Sequence, residues 1–227
     1  EVNLAQLDLR GEVGEGAAGV GAAEDEAVAR VFEALGQAAA GSGLGGVVDL
    51  ALYDCRMGPT ARAQLLRLLV QRMPHLRKLQ LSSVSFLQAE EEEEEEGEVK
   101  EEEVANQPGS LGAVPWGRYE ELRLGNMFQR CPSAFAGFCM KLGPVLRSLH
   151  LTYNQLRCPQ ASALATALRA LPSLATLVLD HNSIGDRGLG ALAAAARALR
   201  RLRIVSLLAN LYGAGGAGAL LALLAAR

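Results

Sequence analysis

One string of apolar residues recurs along this chain of 227 residues and constrains its fold more than any other feature. Around Asn182 the string reads L-x-x-L-x-L-x-x-N-x-I, and the same spacing recurs around Asn154 and Asn210. Looser copies, with Cys55 or Val84 at the asparagine position, lie nearer the start of the sequence. Because leucines two residues apart point to the same face of a strand, each copy predicts a short strand followed by a turn.

The second apolar position of each copy gives the length of the repeat. It falls at Leu7, Leu50, Leu79, Leu122, Leu149, Leu177 and Val205. Four of the six intervals are 27–29 residues long, and the two intervals of 43 predict insertions at about residues 11–23 and 88–115. A single repeat leaves its leucines exposed to water. Stacking on neighbouring repeats buries them and contributes roughly 1.5–3 kcal/mol to stability for each leucine. The sequence therefore predicts a single array of about seven repeats over residues 1–227.

The asparagine of the string is predicted to serve the turn after each strand. A turned backbone inside a stack leaves N–H and C=O groups unpaired, and the amide of Asn182 offers both a donor and an acceptor. Val84 and Met127 occupy the same position and offer neither. We therefore expect a less regular stack around the third and fourth repeats.

The residues after Asn182 predict a helix. Gly185 is expected to adopt positive φ in the turn, and Asp186 is expected to cap the helix that follows. Apolar residues then recur at helical spacing and are expected to face the strand; they are Leu189, Leu192, Ala196 and Leu199.

The string resembles the leucine-rich repeat, whose consensus accepts Asn or Cys at the ninth position. The segment from Asn182 to Leu199 most closely resembles the ribonuclease-inhibitor-like subclass, which also occurs in NOD-like receptors, tropomodulins and Ran GTPase-activating proteins. The resemblance implies an α/β fold, a curved solenoid with parallel strands on its concave face and helices on its convex face.

The charge of the chain is divided unevenly. Residues 90–103 hold 11 of the 25 acidic residues, so the rest of the chain carries 14 acidic and 21 basic side chains. We expect this acidic run to be a disordered, solvated loop; the alternative is an electrostatic contact with a basic surface. The basic remainder could attract an acidic protein or RNA, but no interleaving of aromatic and basic residues supports reading of nucleic acid.

Side chains at the third, fifth and seventh positions of L-x-x-L-x-L-x are expected to point out of the concave face. The predicted partner-binding residues there are Tyr53, Arg123, His150, Val178, Asp180, Ile204 and Leu208. Val178, Ile204 and Leu208 are expected to form a small apolar patch that either binds a partner or is covered by a further repeat. The apolar C-terminal segment predicts a second docking region at Leu220, Leu221 and Leu224.

The sequence predicts neither catalysis nor a bound metal or cofactor. Ser148, His150 and Asp180 invite comparison with a catalytic triad, but the repeat aligns Asp180 with Thr152, and no nucleophile elbow accompanies them. Four scattered cysteines without CxxC spacing, together with only three histidines, do not indicate a zinc site and suit an intracellular compartment. No segment is long and apolar enough to span a membrane.

These observations predict a non-enzymatic scaffold subunit within a larger protein assembly. Cytoskeletal, ciliary and organellar ribosomal complexes are the candidates by family analogy, so the cytoplasm, the cytoskeleton or cilium, or an organelle is the expected location. The alternative is a regulator of a small GTPase that resembles Ran GTPase-activating proteins. Acceleration of GTP hydrolysis would separate the two.

Overall fold

The computed structural model describes residues 2–8, 22–40, 47–53, 57–83, 114–129 and 132–225. The chain divides into two compact units, Glu1–Pro115 and Trp116–Arg227. The insertion predicted at about residues 11–23 lies almost entirely outside the described residues. The acidic run at 90–103 and most of the insertion predicted at 88–115 also lie outside them. The organisation as a single array stays a prediction.

The first unit alternates strands with helices. Its elements are β1 (Val2–Asp8), α1 (Ala22–Ala40), β2 (Val47–Tyr53), α2 (Pro59–Arg67), a π-helical turn (Leu68–Arg72) and β3 (Lys78–Ser82). β2 and β3 pair in parallel with Leu50 beside Leu79, as the repeat predicts. β1 is also parallel to β2, but the predicted alignment of Leu7 with Leu50 is wrong. Leu4 pairs with Leu50 and Leu7 pairs with Leu52 instead, and the pairing is irregular between Val2 and Leu4 and between Leu4 and Leu7.

The second unit repeats one strand and one helix four times in its described residues. Its elements are a 3₁₀ turn (Trp116–Arg118), β4 (Glu121–Gly125), α3 (Pro132–Met140), β5 (Ser148–His150), α4 (Cys158–Leu168), β6 (Thr176–Val178), α5 (Asp186–Ala196), β7 (Ile204–Ser206) and α6 (Ala214–Ala225). The strands pair in parallel in sequence order, with the predicted anchors side by side at Leu122, Leu149, Leu177 and Val205. Successive helices pack on one another, so strands and helices form separate layers. The α/β fold class is confirmed.

The core of the second unit changes along its length. Its first repeat is filled by a cluster of aromatic rings; they are Trp116, Tyr119, Phe128, Phe135 and Phe138. The Trp116 and Phe138 rings meet edge to face with their centroids 5.1 Å apart, a favourable arrangement of ring quadrupoles. In α5, by contrast, Leu189, Leu192 and Ala196 fill the space and are buried, as the helical spacing predicts.

The asparagines link each repeat to the one before it. Asn182 Oδ1 accepts hydrogen bonds from the backbone N–H groups of Asn154 and Leu156, both at 3.0 Å. Its Nδ2 donates to the backbone oxygens of Leu151 at 2.8 Å and of Leu179 at 2.9 Å. We call Asn154, Asn182 and Asn210 the ladder asparagines, since each serves its own turn and the preceding one.

Because each ladder asparagine bonds to the preceding turn, the turn at Met127 is paired although Met127 has no amide side chain. Asn154 Oδ1, from the next repeat, accepts the N–H groups of Met127 at 2.7 Å and Phe128 at 2.9 Å. Asn154 serves this turn in the same way as Asn182 serves the turn of Asn154. The amide that Met127 lacks would serve the preceding turn, which lies outside the described residues, so the expectation of a less regular stack around the third and fourth repeats stays a prediction. Val84, in the third repeat, lies outside the described residues.

Aspartates cap helices across repeats rather than within them. The Asp186 carboxylate accepts the N–H groups of Gly213 at 2.7 Å and Gly216 at 2.9 Å, at the start of α6. A Cβ on Gly216 would lie 2.8 Å from this carboxylate, so only glycine allows the approach. The prediction that Asp186 caps its own helix is wrong. Gly185 is the N-cap of α5, and no side chain caps that helix.

Asp25 plays the same part in the first unit. Its carboxylate oxygens accept the N–H groups of Thr60 and Ala61 at 2.9 Å, at the start of α2. Burial alone raises the pKa of Asp25, but hydrogen bonds from Ala61 and Thr60 outweigh burial, so this pKa lies below its usual value. The carboxylate is thus charged at neutral pH and matches the positive end of the helix dipole.

Left-handed residues end the strands. The residue before the turn has φ between 53° and 59° at Ser83, Asn126, Tyr153, His181 and Ala209. Gly185, which was expected to hold this conformation, has φ of −93° because it is an extended N-cap residue. The left-handed turn therefore falls on side-chain-bearing residues, which become surface features.

Candidate protein-binding surface

The strands of the second unit present one face to solvent. Side chains that alternate with the buried leucines point away from the helices and form two rows, which we call the open sheet face. The first row is Glu121, Ser148, Thr176 and Ile204, and the second is Arg123, His150, Val178 and Ser206. Three of the predicted partner-binding residues, Arg123, His150 and Val178, thus lie on neighbouring strands in one row.

The β4 and β5 end of this face is polar. Arg123 Nε donates to Glu121 Oε1 at 2.7 Å, and both side chains are partly exposed. The His150 ring shares a hydrogen bond of 2.9 Å with Ser148 Oγ. Burial lowers the pKa of His150 and the charge of Arg123 lowers it further, against the weaker opposite influence of Glu121 and Asp180. His150 is therefore a neutral, hydrogen-bonding side chain at neutral pH.

The β6 and β7 end is more apolar. Ile204 is 55% exposed and Leu208 is 67% exposed, so both aliphatic side chains are open to solvent. Val178 is half-buried and lies beside Ser206, so a hydroxyl interrupts the predicted apolar patch. Leu208 lies beyond the end of β7. The apolar part of this surface therefore consists of two exposed aliphatic side chains, Ile204 and Leu208, and the half-buried Val178 on the neighbouring strand.

Asp180 has a structural task as well as a surface position. Its Oδ1 accepts the backbone N–H of Leu208 at 2.8 Å and so fixes the chain after β7. The backbone N–H of Tyr153 bonds to the backbone oxygen of Asp180, which places this residue beyond the row of His150, as the repeat alignment predicts. Among the described residues, no carboxylate hydrogen-bonds the His150 ring.

Sequence reasoning missed an aromatic pair beside this face. The rings of Tyr153 and His181 stack in parallel, with centroids 4.3 Å apart and planes 7° from parallel. Tyr153 is 53% exposed, and both residues have the positive φ that ends a strand. The signal in the sequence was their equal position, one residue before a ladder asparagine. Exposed tyrosines held in a fixed orientation are frequent energetic centres of protein interfaces.

The remaining predicted residues are distributed differently. Tyr53 ends β2 of the first unit, where it is half-buried. In α6, Leu220 is half-buried and Leu221 is 66% exposed. Leu224 belongs to α6, but its side chain lies outside the described residues.

Metal binding and cysteine reactivity can be checked in the described part of the chain. It holds no group of three His, Cys, Asp or Glu side chains that could bind a metal ion. Burial raises the pKa of the Cys139 thiol to about 12, so this cysteine is a poor nucleophile at neutral pH. No described helix has both the length and the hydropathy to cross a bilayer.

A family model for the leucine-rich repeat matches residues 170–193, which span β6, Asn182 and most of α5. This segment of the chain is therefore similar to a leucine-rich repeat. No curated protein sequence matches it. Leucine-rich repeats are typically non-enzymatic modules that bind other proteins, and this general role agrees with an open sheet face of mixed polar and apolar side chains.

Proposed function

We propose that this protein is a non-enzymatic scaffold subunit that binds a protein partner through the open sheet face of its second unit. The exposure of Ile204 on the open sheet face and of Leu208 just beyond the end of β7 is the observation that carries this proposal. The pairing of β7 with β6 and the hydrogen bond from Asn210 Nδ2 to the Leu208 backbone oxygen hold the backbone at these residues, so little backbone entropy is lost on binding. Arg123 and His150 supply polar contacts at the other end of the same face.

The stacked pair of Tyr153 and His181 extends the proposed surface at the ends of the strands. Tyr53 on the first unit, and Leu220, Leu221 and Leu224 on α6, are proposed as separate contacts. We further infer that the repeats belong to the ribonuclease-inhibitor-like subclass. The spacing of 27–28 residues between β4, β5, β6 and β7 supports this, as do the full 11-residue helices α4 and α5.

Affinity capture with two matched variants tests the proposal. Ile204→Asp with Leu208→Asp places one charge on the open sheet face and one just beyond the end of β7. Met140→Asp with Val145→Asp changes two aliphatic residues that are 79% and 45% exposed and lie off that face. We expect partners of the wild type to be kept by the second variant and lost, by at least about tenfold in yield, by the first.

Retention of every partner by both variants would contradict binding through this face. Circular dichroism of each variant checks that the fold is unchanged. An intracellular assembly of the cytoskeletal, ciliary or organellar ribosomal kind is the proposed setting. Clear acceleration of GTP hydrolysis by a small GTPase would instead favour the regulator alternative.

A further inference from the structure

The second unit is strongly and unevenly charged. Residues 116–227 contain 13 lysines and arginines but only four acidic residues, Glu120, Glu121, Asp180 and Asp186. In the described part of this unit, the helices end and the strands begin along one edge, because the strands are parallel and each is preceded by a helix or turn. Eight cations lie in the segments along this edge. Arg118 is half-buried and donates to the Tyr119 hydroxyl, and we call the other seven the basic rim; they are Lys141, Arg147, Arg169, Arg197, Arg200, Arg201 and Arg203.

Backbone hydrogen bonds place these cations close together. The N–H of Ala175 donates to the Arg147 backbone oxygen at 2.8 Å, and the N–H of Arg203 donates to that of Ala175 at 2.8 Å. Arg147 and Arg203 thus begin strands that are two positions apart, or roughly 10 Å at the usual strand spacing. Arg169 and Arg197 occupy equal positions at the ends of α4 and α5. The rim residues therefore recur at one edge of successive repeats rather than being scattered over the unit.

Local stability accounts for only part of the basic rim. Arg169 and Arg197 are the C-cap residues of α4 and α5, where a cation favours the helix dipole. Arg200, Arg201 and Arg203 lie beyond the helix and are exposed. Among the described residues, none of these three forms an ion pair. The nearest acidic side chain along this edge, Glu120, lies 3.6 Å from Arg147. The charge of these three arginines is thus available to a partner.

The structure points to an acidic protein segment, rich in glutamate, as the ligand of the basic rim. Guanidinium groups bind carboxylates in a bidentate manner and keep their charge at every physiological pH. Proteins that hold single-stranded nucleic acid add aromatic stacking residues to a basic groove. The described residues of the rim include no aromatic side chain, and the exposed Tyr153 follows a strand at the opposite edge. Phosphates also favour helix N-termini, whereas the rim gathers helix C-termini.

A binding measurement with a defined probe tests this inference independently of the open sheet face. The probe is a labelled synthetic peptide with the sequence of residues 90–103, and its control replaces every glutamate with glutamine. We expect the full chain to bind the first peptide and not the second. Affinity should fall steeply between about 50 mM and about 300 mM salt, because exposed charges are screened.

Two variants of equal charge change locate the binding site. Arg200→Glu with Arg201→Glu alters the basic rim, whereas Arg157→Glu with Arg187→Glu alters the edge where helices begin. We expect the rim variant to bind the glutamate peptide at least about tenfold more weakly, and the control variant less than about threefold more weakly. Arg200→Gln with Arg201→Gln should show an intermediate loss of affinity for the peptide. This variant replaces the charge-reversal variant if that one does not fold.

Two results would overturn the inference. Equal binding of the peptide by the wild type and both rim variants would show that the basic rim is not the site. A single-stranded RNA of similar charge that binds at least about tenfold more tightly than the peptide, and loses affinity in the rim variant, would assign the rim to nucleic acid instead.

Discussion

The repeats around Asn182 and Asn210 share one motif but have different surroundings. Leu177 is 2% exposed in the first of these repeats, whereas Val205, at the same position in the second, is 39% exposed. Asn182 is buried, and Asn210 is half-buried. The motif therefore does not bury its own side chains. The following repeat buries them, which is the physical content of a stacked repeat fold.

The hydrogen bonds show the same difference. Asn182 hydrogen-bonds to the turns of two repeats. Asn210 in turn accepts the backbone N–H of Ile184, next to Asn182, at 3.0 Å. In the described part of the chain, no acceptor reaches the equivalent N–H groups of Asn210 and Tyr212. Interior repeats are thus stabilised from both sides, and we expect substitutions to cost more there.

The largest expected effect comes from the ladder asparagines. Asn182→Ala removes five hydrogen bonds and should lower the free energy of unfolding by about 3–5 kcal/mol, since each buried group left unpaired costs about 1–3 kcal/mol. Asn210→Ala should cost only about 1 kcal/mol, because Asn210 is half-buried and its side-chain hydrogen bonds are part-buried or exposed. Urea denaturation followed by the fluorescence of Trp116, the single tryptophan, measures both. Equal losses would contradict the dependence on position.

A smaller effect is expected from the glycines of α5. A Cβ on Gly188 would lie 2.9 Å from Ala161 Cβ and 3.1 Å from Cys158 Cα, so Gly188→Ala should push α4 and α5 apart. We expect a loss of about 1–3 kcal/mol from this overpacking. Gly190 has open space around its Cβ position, and Gly190→Ala should gain about 0.5–1 kcal/mol through helix propensity. Thermal denaturation of the two variants measures both changes in stability. A stabilised Gly188→Ala variant would show that α4 and α5 are loosely packed.

The smallest effect is expected from the cap that joins the two repeats. Asp186→Ala removes the acceptor of two N–H groups at the start of α6 and should cost about 1 kcal/mol. The loss should be local, with faster amide hydrogen exchange at Gly216 and little change in β6. Asp180→Ala removes a comparable bond to Leu208 and should leave exchange in α6 unchanged. Unchanged exchange at Gly216 in Asp186→Ala would show that this carboxylate does not cap α6.

The sequence determined where the repeats lie. Leucines at fixed spacing can be buried only on a strand layer, so the positions of β2 to β7 and the inward residues of α5 followed from periodicity alone. The outward positions of Arg123, His150 and Val178 followed for the same reason, because side chains alternate along a strand. The register of β1 did not follow, since the repeat aligns Leu7 with Leu50, whereas Leu7 pairs with Leu52.

Only the tertiary structure decided which repeat each polar side chain serves. Asn154 accepts the backbone N–H of Met127 in the preceding repeat, and Asp186 accepts backbone N–H groups of α6 in the following repeat. Both partners are distant in sequence. The stacking of Tyr153 on His181 also depends on two strand ends brought side by side. A one-dimensional pattern records the spacing of residues within a repeat. It does not record which neighbouring backbone offers unpaired groups within reach, and that depends on how the repeats are stacked in space.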